Sequence, residues 1–279
     1  MGPQDGRLTP EDAAEALLWW AEAGVGFTVG AAPRDCFALP AEAPRRAEPQ
    51  RFRARPEESR AETPVARPPG LVGAPAALAA AEIAASARDL DDLRAALERF
   101  DGCALRKTAT QLVFSDGVPG ARVMLVGEGP GGDEDRIGRP FVGRAGQLLD
   151  RMLAAIGLDR SRVYIANVVP WRPPGNRTPT PEETQACLPF IKRQIELADP
   201  EILVCLGALS AQTLLGVKAG ITRARGSWFA YQRQDGRTLR ALAMLHPAYL
   251  LRSPSQKRAA WADMRALAAA LDGAARPEP

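Results

Sequence analysis

A single histidine, His246, occurs in the 279 residues, so any imidazole chemistry falls to one side chain. The four cysteines, at 36, 103, 187 and 205, show no paired spacing. That argues against a disulfide framework and leaves free thiols as the expectation. No apolar run approaches the roughly 20 residues a bilayer crossing needs. The N-terminus also lacks a basic region followed by an uninterrupted apolar core, so no secretory leader is expected. Neither charge dominates: 36 Lys and Arg against 33 Asp and Glu leave a net +3. This permits contact with a polyanion without arguing for it, since a nucleic-acid footprint needs its charge gathered on one face. No internal repeat is present. What remains is 46% hydrophobic and 25% charged, the balance of a soluble globular chain with one domain plus an extension.

Residues 10–23 pattern as a short amphipathic helix with Pro and two acids in its first turn, giving an N-terminal helical segment within 1–30. From 31 to 75 the chain is rich in Pro, Ala, Arg and Glu without apolar periodicity. Such a composition buries too little surface to offset its ordering entropy and reads as a flexible linker. Residues 75–99 read as two helical pieces, the second, Asp89 to Arg99, amphipathic. From there strand and helix signals alternate, with strands at 122–127, 162–168, 201–207 and 239–245 and helices at 143–156, 181–198, 208–215 and 255–271. Thr180-Pro181-Glu182-Glu183 supplies an N-cap, a first-turn proline and a capping-box glutamate. The expected fold is α/β: three layers, α/β/α, around a central four-stranded parallel sheet, with the N-terminal helical extension before it. The folded domain is expected over 76–272, with a disordered tail at 273–279.

The chemistry concentrates where Val123–Val126 breaks into Gly127-Glu128-Gly129-Pro130-Gly131-Gly132 and then Asp133-Glu134-Asp135. The glycines match the G-x-G-x-x-G pattern of dinucleotide sites. Physics argues against that reading. The third glycine should open a helix that holds pyrophosphate, yet here it precedes three carboxylates. The segment then runs into Ile-Gly-Arg-Pro-Phe, which a regular helix tolerates poorly. Asp133 and Asp135 read as solvated, while a strand end feeding a loop marks a ligand site in open α/β sheets. Phe141, fixed by the proline before it, offers a flat face, though a core aromatic is the plain alternative. Asn167 is an amide near a strand end, unusual unless its hydrogen bonds are met. His246 follows a strand and precedes Pro247, which biases it away from helix. A proline-rich basic loop runs from Trp171 to Pro179.

Four segments in this order, GEGPGGDED (127–135), GRPFVGRAG (138–146), NVVPWRPPGNRTPTP (167–181) and HPAYLLR (246–252), resemble the family 4 type of uracil-DNA glycosylase. The resemblance runs from about Cys103 to Leu271. It implies an enzyme that extrudes deoxyuridine and hydrolyses its N-glycosidic bond, because that bond is unreachable inside the stack. Phe141 would stack on uracil, and the Asn167 amide would accept from N3–H and donate to O4, with Gly129 beside the base. Glu128 would hold the attacking water, and His246 would stabilise negative charge on uracil O2. Glu134 would either assist that water or crowd C5 against thymine. Asn176, Arg177, Arg225 and Arg252 are candidate DNA contacts, with Arg223 beside them. Leu250, with Leu251, is a candidate for the leucine wedge of the superfamily.

The chain departs from that family at the [4Fe–4S] cluster. Its four cysteine positions align here with Phe100, Cys103, Trp171 and Cys187, and neither aromatic can ligate iron. The expectation is no cofactor, with an aromatic plug packing beside the two remaining thiols. No lysine is placed as a Schiff-base nucleophile, so no lyase step is expected. The whole reading is a monomeric, cytoplasmic, nucleoid-associated protein acting on uracil-containing DNA, without membrane contact. A non-catalytic binder of uracil-containing or damaged DNA on the same fold is the alternative.

Overall fold

The structure is a computed structural model and describes residues 74–273. The helix expected within 1–30, all but the last two positions of the linker, and the tail from 274 lie outside the described residues.

The domain opens with helices α1 (Ala74–Ser86) and α2 (Leu90–Arg99). Asp89 caps α2 by accepting from the Asp92 amide at 2.8 Å. That bond and the acids at 91 and 92 explain why the helix starts there. Six strands follow among the described residues: β1 (Asp116–Gly117), β2 (Val123–Gly127), β3 (Val163–Asn167), β4 (Ile202–Leu206), β5 (Trp228–Gln232) and β6 (Thr238–Met244). They form one sheet in the order β1-β3-β2-β4-β6-β5.

The inner four, β3-β2-β4-β6, are parallel and are the four strands expected. The outer two correct the expectation of a four-stranded sheet. Two-residue β1 pairs antiparallel with β3, and β5 pairs antiparallel with β6 through a hairpin. The Asp235-Gly236 turn, with Gly236 at φ 84°, is the signal that marks this hairpin. No comparable signal marks β1, which is too short to show alternation.

β2, β3 and β4 are buried along their whole length, which is why they read as continuous apolar runs. Alternate residues divide between two cores. Met124, Val126, Tyr164, Leu203 and Cys205 face α1, α2, α5 (Pro181–Ala198) and α6 (Ala208–Leu215). Val123, Leu125, Ile165, Val204 and Met244 face α4 (Arg144–Ala154) and α9 (Lys257–Leu271). The three layers expected are therefore present. The Thr180 capping box of α5 also forms, with Thr180 Oγ1 accepting at 3.2 Å and Glu183 Oε2 at 2.8 Å.

Two local readings change. A short helix, α3 (Gly132–Ile137), does follow the glycine-rich turn, where acids in the first turn suit the helix dipole. Gly138 at φ 80° ends it, as the Ile-Gly-Arg-Pro run requires. Asp135 is not a solvated turn residue; it is 4% exposed. Its carboxylate accepts from the Thr110 amide and hydroxyl, both at 2.8 Å, and so ties α3 to the segment after α2. Asp133 is exposed, as expected.

β2 pairs with β3 on one side and with β4 on the other, so the connections leaving β2 and β4 diverge. The crevice between their carboxyl ends is the place where such sheets bind ligands.

Candidate active site

A cavity of about 550 Å³ opens at that crevice, lined among others by Glu128, Phe141, Asn167 and His246. Four elements deliver these residues: the ends of β2 and β3, the turn after α3, and the residue that caps α8 (Pro247–Arg252). The sequence motifs separated by more than a hundred positions thus share one cleft.

Glu128 follows β2, and its Oε1 accepts from the Leu209 amide in the first turn of α6 at 3.2 Å. That amide is one of those the first turn of a helix leaves without an intrahelical partner. Gly207, at φ 104°, is what permits the approach. A Cβ there would stand 2.5 Å from Glu128 Oε1 and 3.2 Å from the His246 Cβ.

Asn167 ends β3 and is 5% exposed, and its Oδ1 is a buried acceptor with no partner among the described residues. An orphaned buried acceptor costs about 1–3 kcal/mol, a penalty that a ligand N–H would lift. Gly127 makes room for it: a Cβ there would lie 2.5 Å from Asn167 Oδ1 and 2.6 Å from Phe141 Cζ. Sequence reasoning set aside the phosphate motif that Gly127 formally opens and gave this glycine no other role. Its role is instead the close approach of amide and ring.

His246 caps α8, its Nδ1 accepting from the Ala248 amide at 3.1 Å. Nδ1 therefore carries no proton, and the neutral ring bears its proton on Nε2. Burial lowers the His246 pKa, the Arg252 charge lowers it further, and the Glu128 carboxylate opposes both. The imidazole lies beside the Phe141 ring, with centroids 5.4 Å apart and planes inclined by 27°.

Glu134 lines the cleft but its oxygens are already engaged. Oε1 accepts from the Val142 and Gly143 amides at 2.9 and 2.8 Å, and Oε2 from the Gly131 amide at 3.0 Å. These bonds fix the carboxylate in the cleft wall and leave both roles considered for it, water-holding and a gate against a C5 methyl, open. Glu134 organises the turn that carries Phe141. Gly129 lies in the cleft wall.

Of the candidate DNA contacts, Asn176, Arg177 and Arg252 are exposed at the mouth of the cleft. Arg177 also forms a two-pronged pair with Glu183, at 2.8 and 2.6 Å, which stiffens the proline-rich loop. Two candidates move elsewhere. Arg225 directs its guanidinium inward to Asp263, itself 2% exposed, and to the Ala259 carbonyl at 2.7 Å. Leu250 is 1% exposed and packs with Leu245 and Ala260, whereas Leu251 is 37% exposed. Helical geometry turns consecutive residues about 100° apart, so only one of the pair faces outward.

The four cluster positions all lie in one buried core. Phe100 folds over Gly102, and its ring meets that of Phe190 at 4.9 Å and 58°. Trp171 is 2% exposed. Cys103 and Cys187 share a hydrogen bond that lowers the Cys103 thiol and, with burial, pushes Cys187 well up. Two thiols and two packed rings do not fit a cluster that takes four thiolates.

The fold and cleft define a three-layer α/β protein with a cleft of mixed polar and apolar lining at the switch point of its sheet. The family model described as "Uracil DNA glycosylase superfamily" matches residues 114–265. A type-4 uracil-DNA glycosylase of Thermotoga maritima is 42% identical over 165 residues, covering 58% of this chain and 82% of that protein. One from Archaeoglobus fulgidus is 43% identical over 169 residues, covering 59% and 84%. Another, from Pyrobaculum aerophilum, is 40% identical over 174 residues, covering 60% and 87%. The chain belongs to the uracil-DNA glycosylase superfamily, within its type-4 group.

Proposed function

We propose that this protein is a DNA repair enzyme that flips uracil out of DNA and hydrolyses its N-glycosidic bond, leaving an abasic site. The observation that carries the proposal is the unpaired, buried Asn167 Oδ1 facing a cleft shared with Phe141, His246 and Glu128. Uracil N3–H is the donor this acceptor lacks. Cytosine presents an acceptor at N3 and would leave two acceptors opposed, a mismatch that disfavours its binding.

In this reading Phe141 stacks on the extruded ring, and the His246 Nε2–H donates to uracil O2. The C1′–N1 bond breaks with its electron pair leaving on uracil, and the sugar passes through an oxocarbenium-like state. A neutral imidazole donor suits that step, because it stabilises the growing charge without transferring its proton. Glu128 holds a water whose oxygen adds to C1′, and takes up the proton released. Arg177, Arg252 and Asn176 contact the backbone around the lesion, and Leu251 rather than Leu250 fills the space the base leaves. The hydrolysis leaves the strand intact, with no lyase step.

The proposal includes no iron–sulfur cluster and no other cofactor, supported by the aromatic rings at two of its four positions. It also places the protein as a monomer acting on nucleoid DNA in the cytoplasm. Among the described residues no helix is long and apolar enough to cross a membrane.

The test is incubation with an end-labelled oligonucleotide bearing one uracil, followed by alkali. Strand cleavage at the uracil is expected only after alkali. The Glu128→Gln variant should lose about 10²- to 10⁴-fold in rate, the range for a positioned general base. Retention of the oligonucleotide without base release would show a binder instead.

A further inference from the structure

Phe141 adopts φ 55°, one of three non-glycine residues at positive φ among the described residues. For a bulky aromatic this left-handed conformation is strained and persists only when its surroundings impose it. The turn is held from both sides. On the amide side stands Glu134, accepting from Val142 and Gly143. On the carbonyl side stands Arg160, nineteen residues away between α4 and β3, which donates to the Phe141 carbonyl and, at 3.2 Å, to the Pro140 carbonyl. Arg160 is aimed in turn by Asp150 of α4, at 2.8 Å, and by Asp116 of β1. Gly146 completes the arrangement, because a Cβ there would run into the Phe141 carbonyl.

We infer that Arg160 is a positioning residue for the reaction: its guanidinium holds the backbone of residue 141 in the strained state that presents the phenyl face to the flipped base. The inference rests on the proposed stacking of Phe141 on uracil. It assigns Arg160, which does not line the cleft, a part in excision, and it gives the Asp116–Arg160–Asp150 ion-pair set a purpose beyond stability. Planarity matters here. One guanidinium reaches two carbonyls and two carboxylates at once, which a lysine ammonium cannot do.

The experiment is a double-mutant cycle on the full chain, following single-turnover release of uracil from a duplex oligonucleotide. Its variants are Arg160→Met, Arg160→Lys, Phe141→Ala and the two double variants. Loss of positioning by a residue outside the chemistry can cost up to about 100-fold. Arg160→Met is therefore expected to slow excision by between about 10- and 100-fold. It should also weaken inhibition by free uracil, while thermal unfolding stays cooperative. In the Phe141→Ala background, where no ring remains to be placed, the same change should cost less than about twofold.

Arg160→Lys keeps the charge and should show the same pattern at smaller amplitude. It carries the cycle if Arg160→Met does not fold. An equal loss in both backgrounds, or no loss with Phe141 present, overturns the inference. Failure of the unsubstituted protein to release uracil would instead overturn the functional reading, so the two failures are told apart.

Discussion

At the scale of single residues, protonation decides what the cleft can do. His246 is the sole histidine in the sequence, so its ring resonances are observable without assignment. They should report an Nε2–H tautomer and a midpoint below the ordinary 6.5, since burial disfavours the charged ring. The sign for stability follows. The unfolded chain takes up a proton near 6.5 and the folded chain does so only at lower pH. His246 therefore contributes its full stability above that value and loses it as pH falls towards the depressed folded value. A midpoint at or above 6.5, or a proton on Nδ1, would remove the neutral donor from the mechanism. The lone histidine and the strand-end amide were both legible as candidates in the sequence. The unpaired Asn167 Oδ1 was not, because whether an acceptor finds a partner depends on residues brought near it by folding.

At the scale of elements, α8 separates two leucines that the sequence could not tell apart. Leu250→Ala should cost about 2–5 kcal/mol of stability, the usual penalty for emptying a buried leucine site, seen as a clear fall in Tm. Leu251→Ala should change stability by less than about 0.5 kcal/mol, yet slow excision from duplex more than from single-stranded substrate. Equal rates on both substrates would remove the wedge role. The end of β2 makes a second case. Gly127→Ala places a methyl 2.5 Å from Asn167 Oδ1 and 2.6 Å from Phe141 Cζ. Overpacking of this kind costs about 1–3 kcal/mol, and because it displaces both base-binding groups, excision should fall more steeply than stability. The inner strands and the long helices were readable from periodicity and capping. Helix α3 was missed because six residues show too little of a period, and β1 because two show none.

At the scale of the whole molecule, the proposed absence of a cluster rests on the packing of Phe100 and Trp171 in the core beside Cys103 and Cys187. Protein produced with ample iron and sulfide should carry well under one iron per chain, and about four would refute the aromatic plug at Phe100 and Trp171. Order along the chain determined much of this. The sequence alone carried the α/β class, the four parallel strands and the residue types gathered at strand ends, since period, caps and turns are local properties. It could not say which arginine would point outwards: Arg225 and Arg252 look alike in sequence, yet one reaches inward to Asp263 and the other stands exposed at the cleft. Only the tertiary structure made Glu134 a backbone staple, buried Asp135, and brought Arg160 onto the carbonyl of Phe141. Each of these depends on distances between segments remote in sequence, and no local pattern encodes a partner's position in space.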